Sequence, residues 1–456
     1  MKEENQITTE QTETQEEQRS EEQSSETCKK KPDLKKKILT GIAIGLAVII
    51  TFVSGYFSRY LFEPSSVSTM GDLVRIIESF GYVIDENGNP RPLTDADYAK
   101  ALVDGLLDDY SYYYTKEEYD IIEQRRGGSH SGFGVSFIEH KDKNAEIYKT
   151  IGNSPAERSG IQKGDVVIGA KIGDGQRQDF SKAQQCSDFM ETVGFGQSVT
   201  FYIDRAGTEM EFTLSPENYT ASYVTYYDNE RKMCFRTTDG VFGQKEIPEQ
   251  KLSLLDDDHA LIKLDQFEGG AASQLSAALS YMQAKGRTKL ILDLRNNGGG
   301  YMDVLCDIAS YFIINGEKRT VIAYAQGKSS WEEYTMRFAK AQSFTDIAVI
   351  ANDGTASASE CLIGAMLTYK EKFDKSRLII EKNADGVAKT YGKGIMQTTY
   401  LMFNGGAFKL TTARILWPDA STCIHNRGII AEGENAVVAG DAAIERANAV
   451  LNIPFS

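Results

Sequence analysis

The sequence predicts an α/β domain over its carboxyl-terminal half, preceded by a small β-rich domain, a helical segment and one apolar span near the amino terminus. Three observations predict it. The apolar strand runs KLILDL and IAVIAN are each followed by a turn rich in glycine or small polar residues and then by helical spacing, which is the alternation of an α/β sheet. Between residues 131 and 214 short β-rich runs are separated by turn residues. Residues 38 to 57, ILTGIAIGLAVIITFVSGYF, form a run without a charge.

The chain of 456 residues is 41% hydrophobic and 25% charged, a globular composition long enough for two or three domains. Its 50 Lys and Arg against 65 Asp and Glu give a net charge of -15, which argues against a nucleic-acid partner held by phosphate neutralisation. Residues 1 to 37 read as a disordered cytoplasmic tail, because their first 27 residues are acidic and polar and lack an aromatic side chain to bury. Lysines 29, 30, 31, 35, 36 and 37 then precede the apolar run, and only Arg59 closely follows it. At about 1.5 Å per residue the run is about 30 Å long, the thickness of a bilayer core, so 38 to 58 reads as a transmembrane helix. The lysine excess puts the amino terminus in the cytoplasm and the domains beyond residue 60 outside a single-pass cell-membrane protein. A cleaved signal peptide is the weaker alternative, since the run is long for one and no A-x-A site follows.

Residues 65 to 127 read as helical, from the apolar spacing of MGDLVRIIESFGYVI and of DADYAKALVDGLLDDYSYYY. The tyrosine cluster at 110 and 112 to 114 reads as packing surface rather than a binding stripe. Residues 128 to 217 carry the β-rich runs GFGVSFI, AEIYKTI, GDVVIGAKI and SVTFYIDRAGTEMEFTL, with one helix near Cys186 to Val193. Residues 218 to 456 hold the α/β stretch. The six cysteines and four histidines show no metal-ligand spacing, so neither a metal nor a cofactor is expected.

Three constellations carry chemistry. DLRNNGGG, 293 to 300, ends a buried strand, and its glycines let backbone N–H groups point at an anion; a plain tight turn with an Asp293–Arg295 ion pair is the structural alternative. NDGTASASE, 352 to 360, runs into a helix whose first turn carries Ser357 and Ser359, where the helix dipole favours an oxyanion; ordinary capping, with Glu360 three residues on, explains the same pattern. TYGKG, 390 to 394, flanks Lys393 with glycines, and partial burial would lower its pKa enough for a base; a solvated turn lysine is the usual case.

Together these motifs resemble the carboxyl-terminal processing peptidases, membrane-associated or secreted serine proteases with a Ser-Lys dyad. ALVDGLLDDYSYYY resembles the family's helical segment, Ser131 to Leu214 with NSPAERSGIQKGDVV its PDZ domain, and LIKLDQFEGG and LTTARI its catalytic strands. The resemblance implies a crotonase- or Clp-protease-like α/β core with an inserted PDZ domain. It implies Ser357 as nucleophile, Lys393 as general base, Gln397 as the residue orienting the lysine, and the N–H groups of Ala358 and of Gly299 or Gly300 as the oxyanion hole. Gly132, Phe133, Gly134 and Val135 would hold the carboxyl terminus of a protein or peptide substrate. Lysine in place of histidine is a known variant of triad logic. Two departures stand out. A polar stretch around Lys382 to Lys389 lengthens the interval to Lys393 and leaves Lys389 as a second candidate base, and Gly298 stands where many members carry proline. The resemblance also implies dimers or higher assemblies, for which ENAVVAGDAAIERANAVL offers a packing helix. The expectation is a membrane-anchored endopeptidase; the alternatives are an inactive protease-like PDZ scaffold and a crotonase-like acyl-transfer enzyme.

Overall fold

The computed structural model describes residues 44–51, 65–81, 83, 90–138, 143–237, 242–246, 255–313, 319–338 and 344–455. The chain divides into two units, Met1–Thr94 and Asp95–Ser456. In the first, residues 44–51 are helical and a second helix spans Ser65–Phe80. The predicted tail, 1 to 37, lies outside the described residues, as do 38–43 and 52–58 of the predicted transmembrane run. Among the described residues no helix is long and apolar enough to cross a membrane.

The second unit is built on an eight-stranded sheet with the spatial order Phe242–Glu246, Met233–Thr237, Val224–Asp228, His259–Leu264, Lys289–Asp293, Asp346–Ala351, Leu378–Glu381, Ala436–Val437. The last five strands run parallel. Strands buried on both faces read as continuous apolar runs, which is what KLILDL and IAVIAN are. Their alternate residues divide between two cores. Leu290, Leu292, Ile347, Val349 and Ala351 pack with the helices Ala271–Ala284, Met302–Ala309 and Ala358–Tyr369. Ile291, Ala348 and Ile350 face Ala443, Ala447, Val450 and Leu451 of the helix Asp441–Leu451. The carboxyl-terminal stretch expected to pack against another copy therefore spends its apolar face within its own chain.

The β-rich domain is a six-stranded sheet with its own core, including Phe133, Ile147, Val167, Phe189, Phe201 and Ile203, and the helix Ala183–Glu191. Strand Ser129–Gly132 pairs with Glu217–Thr220 where the chain enters and leaves it.

The expected helical stretch 65 to 127 contains Ser65–Phe80, Asp95–Leu106 and Lys116–Arg126, but Tyr112–Tyr114 is a strand. It pairs antiparallel with Ala407–Leu416, Tyr112 opposite Lys409, in a second sheet that also contains Ile395–Leu401, Val321–Gly327 and Trp331–Thr335. Three successive tyrosines suit a pleated edge better than a helix, and the pairing overrides the helical spacing that precedes them.

Candidate active site

The strand Asp346–Ala351 ends in the turn that carries Ser357, immediately before the helix Ala358–Tyr369. Ser357 has φ 58° and ψ -118°, a left-sided conformation that costs a non-glycine residue on the order of 1–3 kcal/mol and persists only where neighbours enforce it. They do so here. The Thr355 hydroxyl donates to Leu294 O at 2.8 Å, Ala356 N to Asn297 O at 2.9 Å, and the Ser359 hydroxyl to Asn297 O at 3.0 Å. Asn296 and Asn352 cross-link the same two loops, the Asn296 N–H donating to Asn352 Oδ1 at 2.9 Å.

The second loop is the glycine turn after the parallel neighbour Lys289–Asp293. Gly299 has φ 97°, and a Cβ there would meet Ser357 Cβ at 2.7 Å and Ala358 N at 2.8 Å. A Cβ on Gly300, at φ 146°, would lie 2.2 Å from Phe267 O. Backbone approach to the serine thus requires glycine at 299, and approach to Phe267 requires it at 300. The Gly299 N–H is already donated to Asn297 Oδ1 at 2.9 Å. Ala358 opens its helix, where an N–H has no intrahelical acceptor, and the Gly300 N–H has no hydrogen-bond acceptor among the described residues. Asp293 and Arg295 form the ion pair expected of a structural role, at 2.6 Å, and Arg295 reaches on to Glu381 at 2.7 Å.

Glu360 joins this turn to the lysine loop. Its fully buried carboxylate accepts the Ser357 N–H at 2.9 Å, the Thr390 hydroxyl at 2.5 Å, the Gly392 N–H at 2.8 Å and the Lys393 N–H at 2.9 Å. Burial pushes the carboxyl above its ordinary range, and the four donors act against that shift. In the sequence Glu360 reads only as the Glu of a capping pattern. Spacing alone carries no sign that the same acid would close a contact across 33 residues.

Lys393 is half-buried, and burial first, then the neighbouring Lys409, holds its amine below the ordinary lysine range, with Asp108 acting in the opposite direction. Its Nζ lies 4.8 Å from the centre of the Tyr110 ring. Gln397 makes no hydrogen bond to it among the described residues: the Gln397 amide donates to the Thr411 hydroxyl at 3.0 Å. The polar stretch around Lys382 to Lys389 folds into a turn of its own, where Lys382 bridges Ala388 and Asn383 Oδ1 accepts the N–H groups of Asp385 and Val387. Lys389 pairs through its backbone with Ile430, and the extra residues leave Lys393 beside the serine turn.

In the β-rich domain, Gly132 and Gly134 have φ 113° and 78° and flank Phe133, which is buried edge-on against Phe201. Val135 opens the edge strand Val135–Ile138. A chain of polar contacts joins this domain to the glycine turn. Arg236 donates to Glu157 at 2.9 Å and to Asp265 at 3.0 Å, and the Lys149 amine donates to Gln266 at 2.6 Å. The next residue, Phe267, donates its N–H to Gly299 O at 2.9 Å and accepts from Tyr301 N at 2.8 Å.

Residues 258–433 match the model of Peptidase family S41. The chain is 27% identical over 415 residues to the "Probable CtpA-like serine protease" of Staphylococcus aureus strain bovine RF122 / ET3-1, covering 88% of this chain and 73% of that protein. It is 28% identical over 339 residues to the protein of the same name from Staphylococcus saprophyticus, covering 72% of this chain and 59% of that one. The solved photosystem II D1 C-terminal processing protease superposes with a TM-score of 0.47 at 20% identity, over 78% of this chain and 85% of that one.

Proposed function

We propose that this chain, a serine-type peptidase whose residues 258–433 match Peptidase family S41, is an endopeptidase in which Ser357 is the nucleophile and Lys393 the base. The observation that carries this reading is the Glu360 carboxylate, which holds the backbone of both residues at once. Lys393 takes the proton of the Ser357 hydroxyl as its oxygen attacks the scissile carbonyl, then returns it to the leaving amine; water repeats the sequence on the acyl-enzyme. The amine must be neutral to begin, and its burial favours that state. The N–H groups of Ala358 and Gly300 would stabilise the oxyanion, because that of Gly299 is occupied. Gln397 would act on Lys393 through the Thr411 side of the pocket rather than by a direct hydrogen bond. A fluorophosphonate reagent should label the folded chain at Ser357 alone; labelling elsewhere, or undiminished labelling of Ser357→Ala, would remove the serine from the mechanism.

The substrate is read as a protein offering its carboxyl terminus to the β-rich domain, used as a PDZ domain. The edge strand after Gly132–Val135 is free to take a peptide as an added strand, and the glycines can turn N–H groups toward a terminal carboxylate. Contacts from this domain reach the segment bonded to Gly299, which supports control of the site by the bound chain end. A substrate ending in a small or branched apolar residue should be cleaved much faster than its amidated form, since amidation removes a charge-assisted bond worth roughly twice a neutral one. Equal rates at fixed ionic strength would deny the domain that role. Anchoring by 38 to 58, with the peptidase outside the cell, is the accompanying reading; it rests on the apolar run and the lysines before it.

A further inference from the structure

The loop between the helix Asp95–Leu106 and the strand Tyr112–Tyr114 reaches the lysine from a part of the chain more than 280 residues away in sequence. Pairing of that strand with Ala407–Leu416 brings residues 108 to 111 alongside Thr411. Asp108 accepts from the Ser111 hydroxyl at 2.8 Å and from the Tyr110 N–H at 3.3 Å. The Ser111 hydroxyl in turn accepts the Thr411 N–H at 3.1 Å. Thr411 is also the acceptor for Gln397, so Asp108 fixes at once the loop carrying Tyr110 and the partner of Gln397. The Tyr110 hydroxyl lies 3.1 Å from that of Tyr391, two residues before Lys393, and Tyr391 N is bonded to Thr355 O at 3.0 Å in the serine turn.

The geometry points to Tyr110 as a positioning residue for the base: its ring face holds the Lys393 amine in the site, and Asp108 locks the loop that presents the ring. This rests on the reading of Ser357 and Lys393 as the dyad. A ring face attracts an ammonium and not a neutral amine, so Tyr110 stabilises the charged form of Lys393, as the Asp108 carboxylate does. Burial and Lys409 favour the neutral form. Among the remaining neighbours, Tyr391 is joined to Tyr110, and the Glu360 carboxylate binds the backbone N–H of Lys393 rather than its amine. The bond to Tyr391, then burial, pushes the Tyr110 hydroxyl up to about 12, so the ring facing the lysine stays a neutral phenol across the working pH range. In the resting site the base is thus held on Tyr110, and it turns to Ser357 once it has lost its proton.

The test measures the titration of Lys393 directly, as the pH dependence of its acylation by acetic anhydride read by mass spectrometry, beside the pH profile of kcat. Tyr110→Leu removes the ring quadrupole while keeping an apolar wall, and should move the Lys393 titration to lower pH by roughly one unit, the size of a partly desolvated cation–π contact. Tyr110→Phe keeps the ring and should leave the titration within a few tenths of a unit of the parent, roughly the change expected from losing one exposed hydroxyl pair. Asp108→Asn removes a charge that favours the ammonium and should move it in the same direction as Tyr110→Leu. Titrations of Tyr110→Leu and Asp108→Asn that coincide with the parent overturn the proposal. The acylation profile reports on the lysine whether or not it serves Ser357. A failed dyad would therefore appear as a Lys393 that titrates as stated while Lys393→Ala still cleaves.

Discussion

Ser357→Ala and Lys393→Ala should each lower kcat for peptide hydrolysis by about 10⁴- to 10⁶-fold, the loss expected when one member of a catalytic unit is removed and only binding and the oxyanion hole remain. Neither change should unfold the chain. Alanine keeps the backbone N–H that Glu360 accepts at either position, and loss of a hydroxyl at a helix start costs at most about 1–2 kcal/mol. The double variant should be no slower than the singles, because in the proposed mechanism the two residues act on one proton. Lys389→Ala should retain most activity, since its side chain makes no polar contact with the serine turn among the described residues. In the parent enzyme the sign with pH follows from the base. Burial disfavours the ammonium, so the acid limb of kcat lies below ordinary lysine titration, and activity is lost as pH falls through the Lys393 value. Circular dichroism and thermal melting separate a chemical loss from a folding one. A folded Lys393→Ala enzyme with parental kcat, or a Lys389→Ala enzyme without activity, would reassign the base.

The main sheet was legible because its strands are buried on both faces: KLILDL and IAVIAN have few other homes, and the turns after them carry the glycines and serines that the close approach at Gly299 demands. Tyr112–Tyr114 was not legible as a strand. Its partner Ala407–Leu416 lies far along the chain, and the preceding helical spacing through Leu106 gives no sign of the change. The site divides in the same way. The motifs around Ser357, Lys393 and the glycines stand out by composition, whereas the contacts of Glu360, Tyr110 and Gln397 depend on where loops meet. Gln397 shows the limit most directly: four residues from the lysine in sequence, it turns to Thr411 on the neighbouring strand.

Glu360→Gln should then be the most disruptive isosteric change outside the dyad. Each carboxylate oxygen accepts two donors, Oε1 from Thr390 and Gly392, Oε2 from Ser357 and Lys393. An amide supplies one acceptor oxygen and an NH₂ that can accept nothing, so whichever way it is turned, two buried donors lose their partner. Turned one way it abandons Thr390 and Gly392; turned the other way it abandons the N–H groups of Ser357 and Lys393 together. A lost bond to a charged acceptor costs about 1.5–3 kcal/mol, so stability should fall by roughly 2–4 kcal/mol after relaxation. Catalysis should fall further than the fold. Displacing the serine turn from the lysine loop by about 1 Å is enough for a 10²-fold loss in kcat, with KM nearly unchanged if substrate is held, as proposed, by the β-rich domain, which the change leaves untouched. Thr390→Val leaves the three backbone bonds to Glu360 in place but also strips the buried Ile429 N–H of its acceptor, so it should cost stability on a similar scale while kcat falls much less. A Glu360→Gln enzyme that melts earlier yet keeps kcat within twofold, measured well below its melting temperature, would show that the buried carboxylate supports the fold without aligning serine and lysine.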